Sequence, residues 1–380
     1  MVMNEPDVFV VADNVLSPIG QTTAENFDKL KQNISGVKQH NNAAISPRPF
    51  YASLFNEDEK FIESGGANCT KFEQLLIASI ADALKISGIN APDKKTILII
   101  SSTKGNISLL ETEANTSELK KRISLSTSAK LVAEYFGFKN QPVIISNACI
   151  SGVLGIITGM RLLRSGQYEN VVIVGADVIS RFILSGFESF QALSSNICRP
   201  FDKSRDGLNL GEGAATIILS TQKKYVQNIK VLGGSVSNDA NHISGPSRTG
   251  QELNYAIGRA ISDAGVATQN IDFISAHGTA TVYNDEMEAN AIALSGLQDV
   301  PLNSLKGYYG HTLGAAGLIE SIISIESLKQ GMIIPTPGFQ EIGVTRPVNV
   351  VRSPLQTNAS AFLKTASGFG GCNAAVVFGK

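Results

Sequence analysis

This 380-residue chain has almost no net charge: 32 basic and 33 acidic residues nearly cancel, so no excess of either sign points to nucleic acid or a membrane surface. An anionic partner would have to be held by a local patch. No apolar run approaches the roughly 20 residues of a membrane span. The opening segment, Met1 to Asp7, lacks a basic stretch and a cleavable apolar one, so it does not read as a secretory signal. Cysteine is sparse. Cys69, Cys149, Cys198 and Cys372 are scattered without paired spacing, which suggests neither a metal cluster nor a disulfide frame and points to a reducing cytoplasm. Tryptophan is absent, and no segment has the spacing of a phosphate loop or a dinucleotide fingerprint, which argues against nucleotide binding.

What is present is apolar and alternating. A chain that is 43% hydrophobic and 17% charged can bury a large core. Strand-like runs alternate with helical patterns, the signature of an α/β fold with largely buried sheets. The pattern predicts strands over Asp7–Ala12, Thr96–Ser101, from Val143, Asn170–Ala176 and Ala214–Ser220, and helices over Glu25–Lys31, Lys71–Ile86 and Ser128–Phe136. A second series follows, with strands at Ile229–Val236, Phe273–Ala276, Ala361–Thr365 and Ala374–Phe378, and helices at Gln251–Ala264, Glu286–Leu294 and Gly314–Lys329. The two halves, residues 1–225 and 226–380, have a similar element order and no low-complexity linker. Asn33–Asn68 and Thr103–Ser124 read as loop-rich segments suited to a substrate entrance or a subunit contact.

The chemistry-bearing residues fall at strand ends, where α/β sheets hold ligands. Cys149 follows the apolar run Val143-Ile144-Ile145 and precedes a small-residue helix. A thiol at a helix start faces the positive end of the dipole, which favours the nucleophilic thiolate. Taken alone, such a cysteine is ordinarily a small core residue. His277 ends a strand in Ala276-His277-Gly278-Thr279-Ala280-Thr281, and His311 lies in Lys306-Gly307-Tyr308-Tyr309-Gly310-His311 before Gly314-Ala315-Ala316-Gly317. Ser367-Gly368-Phe369-Gly370-Gly371-Cys372-Asn373 forms a glycine-rich turn, and Pro200 to Gly207 leads into Gly211-Glu212-Gly213-Ala214. A lone strand-end histidine or a glycine turn is usually structural. Together, a cysteine, two histidines and free turn amides supply a nucleophile, hydrogen-bond donors and an oxyanion hole, a set suited to acyl transfer through a thioester.

Over nearly its whole length, from Val10 to Phe378, the chain resembles the β-ketoacyl-acyl carrier protein synthases, condensing enzymes of the thiolase-like superfamily. The resemblance rests on the nucleophile turn, on His-Gly-Thr-x-Thr with Asp285 eight residues after His277, and on Lys-x-x-x-x-His with Gly-Ala-Ala-Gly. Gly-Phe-Gly-Gly-x-Asn and Pro-Phe-Asp-x-x-Arg-Asp-Gly complete it. It implies a thiolase-like fold in which two βαβαβαββ halves pack as an αβαβα layered sandwich. It also implies a decarboxylating acyltransferase of fatty acid or polyketide synthesis. By the resemblance Cys149 accepts the acyl group, the amides of Cys149 and Phe369 hold the oxyanion, and His277 and His311 donate to the thioester oxygen. Lys306 would order the surrounding charges. Phe369 would gate the acyl pocket, Gly370 would belong with it to the oxyanion-hole and substrate-binding set, Thr279 and Thr281 would bind the pantetheine arm, and Asp206, Asp285, Glu288 and Glu320 would support the network.

The resemblance requires no metal and no dissociable cofactor. The implied partner is an acyl carrier protein, with a homodimer as default and a heterodimer with a related chain as the alternative. The sequence departs from the family at Gly307 (usually serine or threonine), at Ser367 (often aromatic), at Ile150-Ser151, and in a shortening around residues 104–130. These leave chain-length and primer preference open. Two rival readings are a non-condensing partner subunit, which usually lacks the cysteine, and a degradative thiolase, which would need a second cysteine in a Cys-x-Gly turn. A third is a carrier-protein binding module.

Overall fold

The computed structural model describes residues 5–56, 58–62, 69–225 and 228–380. Ten strands form its main sheet: β1 (Phe9–Leu16), β2 (Thr96–Ser101), β3 (Val143–Ile145), β4 (Asn170–Asp177), β5 (Gly213–Ser220), β6 (Lys230–Asn238), β7 (Phe273–Ser275), β8 (Leu302–Asn303), β9 (Ala361–Gly368) and β10 (Cys372–Gly379). Their spatial order is β8-β7-β9-β10-β6-β1-β5-β4-β2-β3. From the middle outward each half runs first, fifth, fourth, second, third strand. In each half the first two pairings are antiparallel and the last two parallel. Among the described residues, the strands of the two halves pair where Phe9 meets Lys230, flanked by Val10 N–H donating to Ile229 O and Val231 N–H donating to Val8 O, both at 2.9 Å.

The principal helices are α1 (Lys71–Ser87), α2 (Leu125–Phe136), α3 (Ser151–Arg164), α4 (Arg181–Ser189), α5 (Gln251–Ala264), α6 (Val282–Leu294) and α7 (Ala316–Gln330). Strand periodicity of two decides which core each residue joins. In β2, Ile97 and Ile99 pack in the central core with Ile156 of α3 and Ile322 of α7, while Leu98 and Ile100 face the outer core with Leu75 of α1 and Val132 of α2. In the second half, Phe362 and Val376 face the centre, and Leu363 and Val377 face Ile257 of α5 and Ile292 of α6. The layers are therefore helix, sheet, helix, sheet, helix, the αβαβα arrangement that the family resemblance implied. The middle layer explains the composition of its two helices. Ala316 to Ile325 in α7 is buried on every side, so that helix is apolar all round instead of amphipathic.

Two segments expected to be loops hold short regular elements. Val37–His40 pairs antiparallel with Phe50–Ser53, which pairs parallel with Leu210–Gly211. Short helices occupy Leu109–Thr112 and Ser117–Arg122. Polar composition hid them, because each is too short to show a period. Residue 57 and residues 63–68 of the first segment, and Met1–Asn4 of the opening stretch, lie outside the described residues, as do residues 226–227 beside the boundary read between the halves.

Candidate active site

Two equivalent turns, one from each half, meet at the centre of the molecule. The β3-to-α3 turn carries Cys149, and the β8-to-α7 segment carries His311. The first is tight: Ala148 takes φ 44°, an uncommon left-handed conformation for a residue with a side chain. The Ser151 hydroxyl stitches it together, donating to Ala148 O at 2.7 Å and accepting Asn147 N–H at 2.8 Å. The helix starts touch because two glycines allow it. A Cβ on Gly152 would lie 2.8 Å from Leu318 N, and one on Gly317 would lie 2.6 Å from Val153 Cγ2. This close crossing brings His311 Nε2 to 3.0 Å from Cys149 Sγ.

His277 arrives from the end of β7. The Glu288 carboxylate accepts the N–H groups of His277 at 2.8 Å and Gly278 at 2.7 Å, and Asp285 accepts those of Thr279 at 2.9 Å and Phe201 at 2.7 Å. Both acids lie on α6, one turn apart and buried, so that helix holds the loop in place. Gly278 at φ 42° and Ala280 at φ 61° show how sharply the loop bends. The His277 and His311 rings stand 5.3 Å apart at 82°. The Lys306 ammonium donates to His277 O at 2.6 Å, lies 3.3 Å from His277 Nδ1 and pairs with Glu320 at 2.7 Å. An ammonium only donates, so His277 Nδ1 accepts and its ring proton sits on Nε2.

Burial dominates the electrostatics. It holds both imidazoles well below their ordinary pKa, and the Lys306 and Lys364 ammoniums push the same way, so both rings are neutral at pH 7. Burial also pushes the Cys149 thiol up to about 12, offset only in part by Lys306. This corrects the thiolate expectation, because desolvation outweighs the favourable helix start. The resting pair is a neutral thiol against a neutral imidazole. Burial likewise raises Asp285 and Asp177 to about 6. Cys149 Sγ and one ring nitrogen from each histidine lie within 4.8 Å of one another, close enough to share a soft divalent ion. Two buried ammoniums behind the histidines oppose such a charge by Coulomb repulsion.

A cavity of about 410 Å³ leads from these three side chains past Thr279, Thr281 and Phe369 to solvent. The Thr279 and Thr281 hydroxyls are 2.9 Å apart on its wall. Phe369, at the tip of the β9–β10 hairpin, is 39% exposed, stacks on Phe187 at 5.8 Å and meets Phe190 edge-on at 5.3 Å. A Cβ on Gly368 would sit 3.0 Å from Cys149 N, so the hairpin packs directly on the Cys149 backbone. Gly370 offers geometry but no donor: at φ 85° its N–H goes to Ile243 O at 2.6 Å.

Asp206 reaches the cavity wall but not the histidine pair; it accepts the hydroxyls of Ser194 at 2.5 Å and Ser195 at 2.9 Å. Sequence reasoning missed two buried charges. Asp177, at the end of β4, accepts the Ser102 hydroxyl at 2.8 Å and the Gly314 N–H at 2.7 Å, tying β2 to the start of α7. Lys364 pairs with Glu320 at 2.6 Å. Each carried a legible signal, a charged residue within an otherwise apolar strand.

The chain as a whole is similar to known proteins. The family model for "Beta-ketoacyl synthase, N-terminal domain" matches residues 5–224, and that for "Beta-ketoacyl synthase, C-terminal domain" matches 229–340. The chain is 29% identical to 3-oxoacyl-[acyl-carrier-protein] synthase 2 of Vibrio cholerae, covering 99% of each chain. It is 26% identical to a putative mitochondrial 3-oxoacyl-[acyl-carrier-protein] synthase of Schizosaccharomyces pombe, over 98% of this chain and 99% of the other. Among solved structures, the ishigamide ketosynthase/chain length factor superposes with a TM-score of 0.90 at 26% identity over 99% of both chains.

Proposed function

The chain belongs to the beta-ketoacyl synthase family, and from that premise we propose that it condenses a Cys149-bound acyl group with malonyl-acyl carrier protein to give β-ketoacyl-acyl carrier protein. One observation carries the site assignment: Cys149 Sγ lies 3.0 Å from His311 Nε2, with the His277 ring nearly perpendicular beside it, at the inner end of one cavity. In the first step Cys149 Sγ attacks the acyl thioester while His311 Nε2 takes the thiol proton. The Cys149 and Phe369 amides face the developing oxyanion. The carrier's thiol leaves with a proton, and both histidines are again neutral.

Malonyl-carrier protein then enters. Loss of carbon dioxide leaves an enolate whose oxygen accepts hydrogen bonds from His277 Nε2–H and, after His311 moves its ring proton from Nδ1 to Nε2, from His311 Nε2–H. Its carbon attacks the acyl-Cys149 carbonyl, the C–S bond breaks, and Cys149 leaves as a thiolate that takes up a proton from solvent. Neutral imidazoles suit this role, because each presents a proton without giving it up. Substrates ride on the carrier's phosphopantetheine arm, so no dissociable cofactor takes part, and Thr279 and Thr281 are placed to hydrogen-bond that arm. Among the described residues no helix is long and apolar enough to cross a membrane. All four cysteines are free thiols, which fits a cytoplasmic setting.

A second synthase-like chain, identical or related, would pair along β3, the half-buried edge strand that leads into the nucleophile. The retained cysteine, histidines and Lys306 favour the condensing member of such a pair over a chain-length-determining mate. Incubation with acyl- and malonyl-carrier protein should release carbon dioxide and form the β-ketoacyl product, and Cys149→Ala should abolish acylation. An undiminished acyl-enzyme signal in that variant would remove Cys149 from the mechanism. Absence of product with every primer, alone or with a synthase-like mate, would remove the enzyme reading itself.

A further inference from the structure

Lys364 lies between Leu363 and Thr365 in β9, fully buried, where a lysine is seldom found without partners. Its ammonium pairs with Glu320 Oε2 at 2.6 Å and donates to Ser275 O at 3.2 Å and Ala276 O at 3.1 Å. The other oxygen of Glu320 pairs with Lys306, which donates to His277 O. Three successive carbonyls at the exit of β7 are thus gripped by two ammoniums that share one carboxylate.

We propose that Lys364 is a positioning residue for His277: with Glu320 and Lys306 it clamps the carbonyls of Ser275, Ala276 and His277 and so fixes where the His277 ring presents its Nε2 proton. This rests on the reading that His277 donates to the enolate oxygen. Charge adds to position. One carboxylate between two ammoniums leaves a net positive charge behind both imidazoles, which resists their protonation and favours a developing anion in front of them. The opposing groups are Glu288, which accepts the His277 N–H from α6, and Asp285 beside it. On the His311 side stand the Cys149 thiol and Asp177, which holds Gly314 N–H.

Lys364→Met keeps the length of the side chain and removes the ammonium. Cys149 acylation, read by mass spectrometry, should stay within about threefold of wild type. Malonyl decarboxylation should fall about tenfold or more, and the acid limb of its pH profile should move up by roughly one unit. An unchanged decarboxylation-to-acylation ratio with an unchanged acid limb would overturn the proposal. Should that variant not fold, Lys364→Gln, which keeps an amide donor but removes the charge, takes its place: the decarboxylation-to-acylation ratio should fall and the acid limb move up, and no change in either overturns the proposal. His277→Ala in the same assay separates the two levels. If it still decarboxylates, the donor role of His277 falls and the Lys364 proposal with it. If it is inactive beside an unaffected Lys364→Met, only the Lys364 proposal falls.

Discussion

At the scale of single residues, the site works by keeping ionisable groups neutral. Cys149, His277 and His311 are 8%, 2% and 1% exposed, and burial governs the pKa direction of all three. A thiol held near 12 should react slowly with iodoacetamide at pH 7. The rate of Cys149 alkylation, followed by peptide mass spectrometry, should keep rising with pH through at least 9, with no plateau in the neutral range. A plateau reached by about pH 7 would mean that a thiolate is already present. The thiol, its helix-start position and the two histidines were legible in the sequence as residue types at strand ends. Their protonation states were not, because desolvation depends on what packs around them.

At the scale of elements, the Cys149–His311 contact depends on how closely α3 and α7 cross. Gly152→Ala would push a methyl to 2.8 Å from Leu318 N, a backbone atom that cannot swing aside. The expected cost is about 1–3 kcal/mol, seen as a lowered melting temperature, together with slower acylation as Cys149 and His311 move apart. Gly258→Ala in α5 is the contrast: nothing lies within 4 Å of its Cβ, so it should be neutral or stabilising by up to about 1 kcal/mol. Equal destabilisation by the two changes would show that packing at the crossing is not the cause. Element types and most bounds could be read from periodicity, as for Thr96–Ser101 and Gln251–Ala264, which the structure reproduces to the residue. The short strand Phe50–Ser53 could not, since it exists only through pairing with distant partners.

At the scale of the whole molecule, Glu73 anchors the outer layer. It is fully buried in α1, forms an ion pair with Arg122, accepts the Asn106 amide at 3.0 Å and the Ser128 hydroxyl at 2.7 Å, and closes a capping box with Thr70. Burial opposes its charge, but the Arg122 guanidinium and these donors hold its carboxyl down to about 2. A carboxyl whose folded pKa lies below its unfolded value contributes stability that is complete above about 4.5 and fades as pH falls towards 2. Glu73→Gln should therefore cost about 2–3 kcal/mol at pH 7 in chemical denaturation, and the difference from wild type should close near pH 2. A gap independent of pH would assign the loss to packing instead. The sequence by itself determined the order of the long elements and the types of side chain at the strand ends, because those follow from local periodicity and turn chemistry. Only the tertiary structure decided that two equivalent turns meet through paired glycines. The same is true of Glu320, which bridges Lys306 and Lys364, and of the resting state of Cys149 as a thiol. Each of these depends on atoms remote along the chain coming within a few ångströms in a place that excludes water.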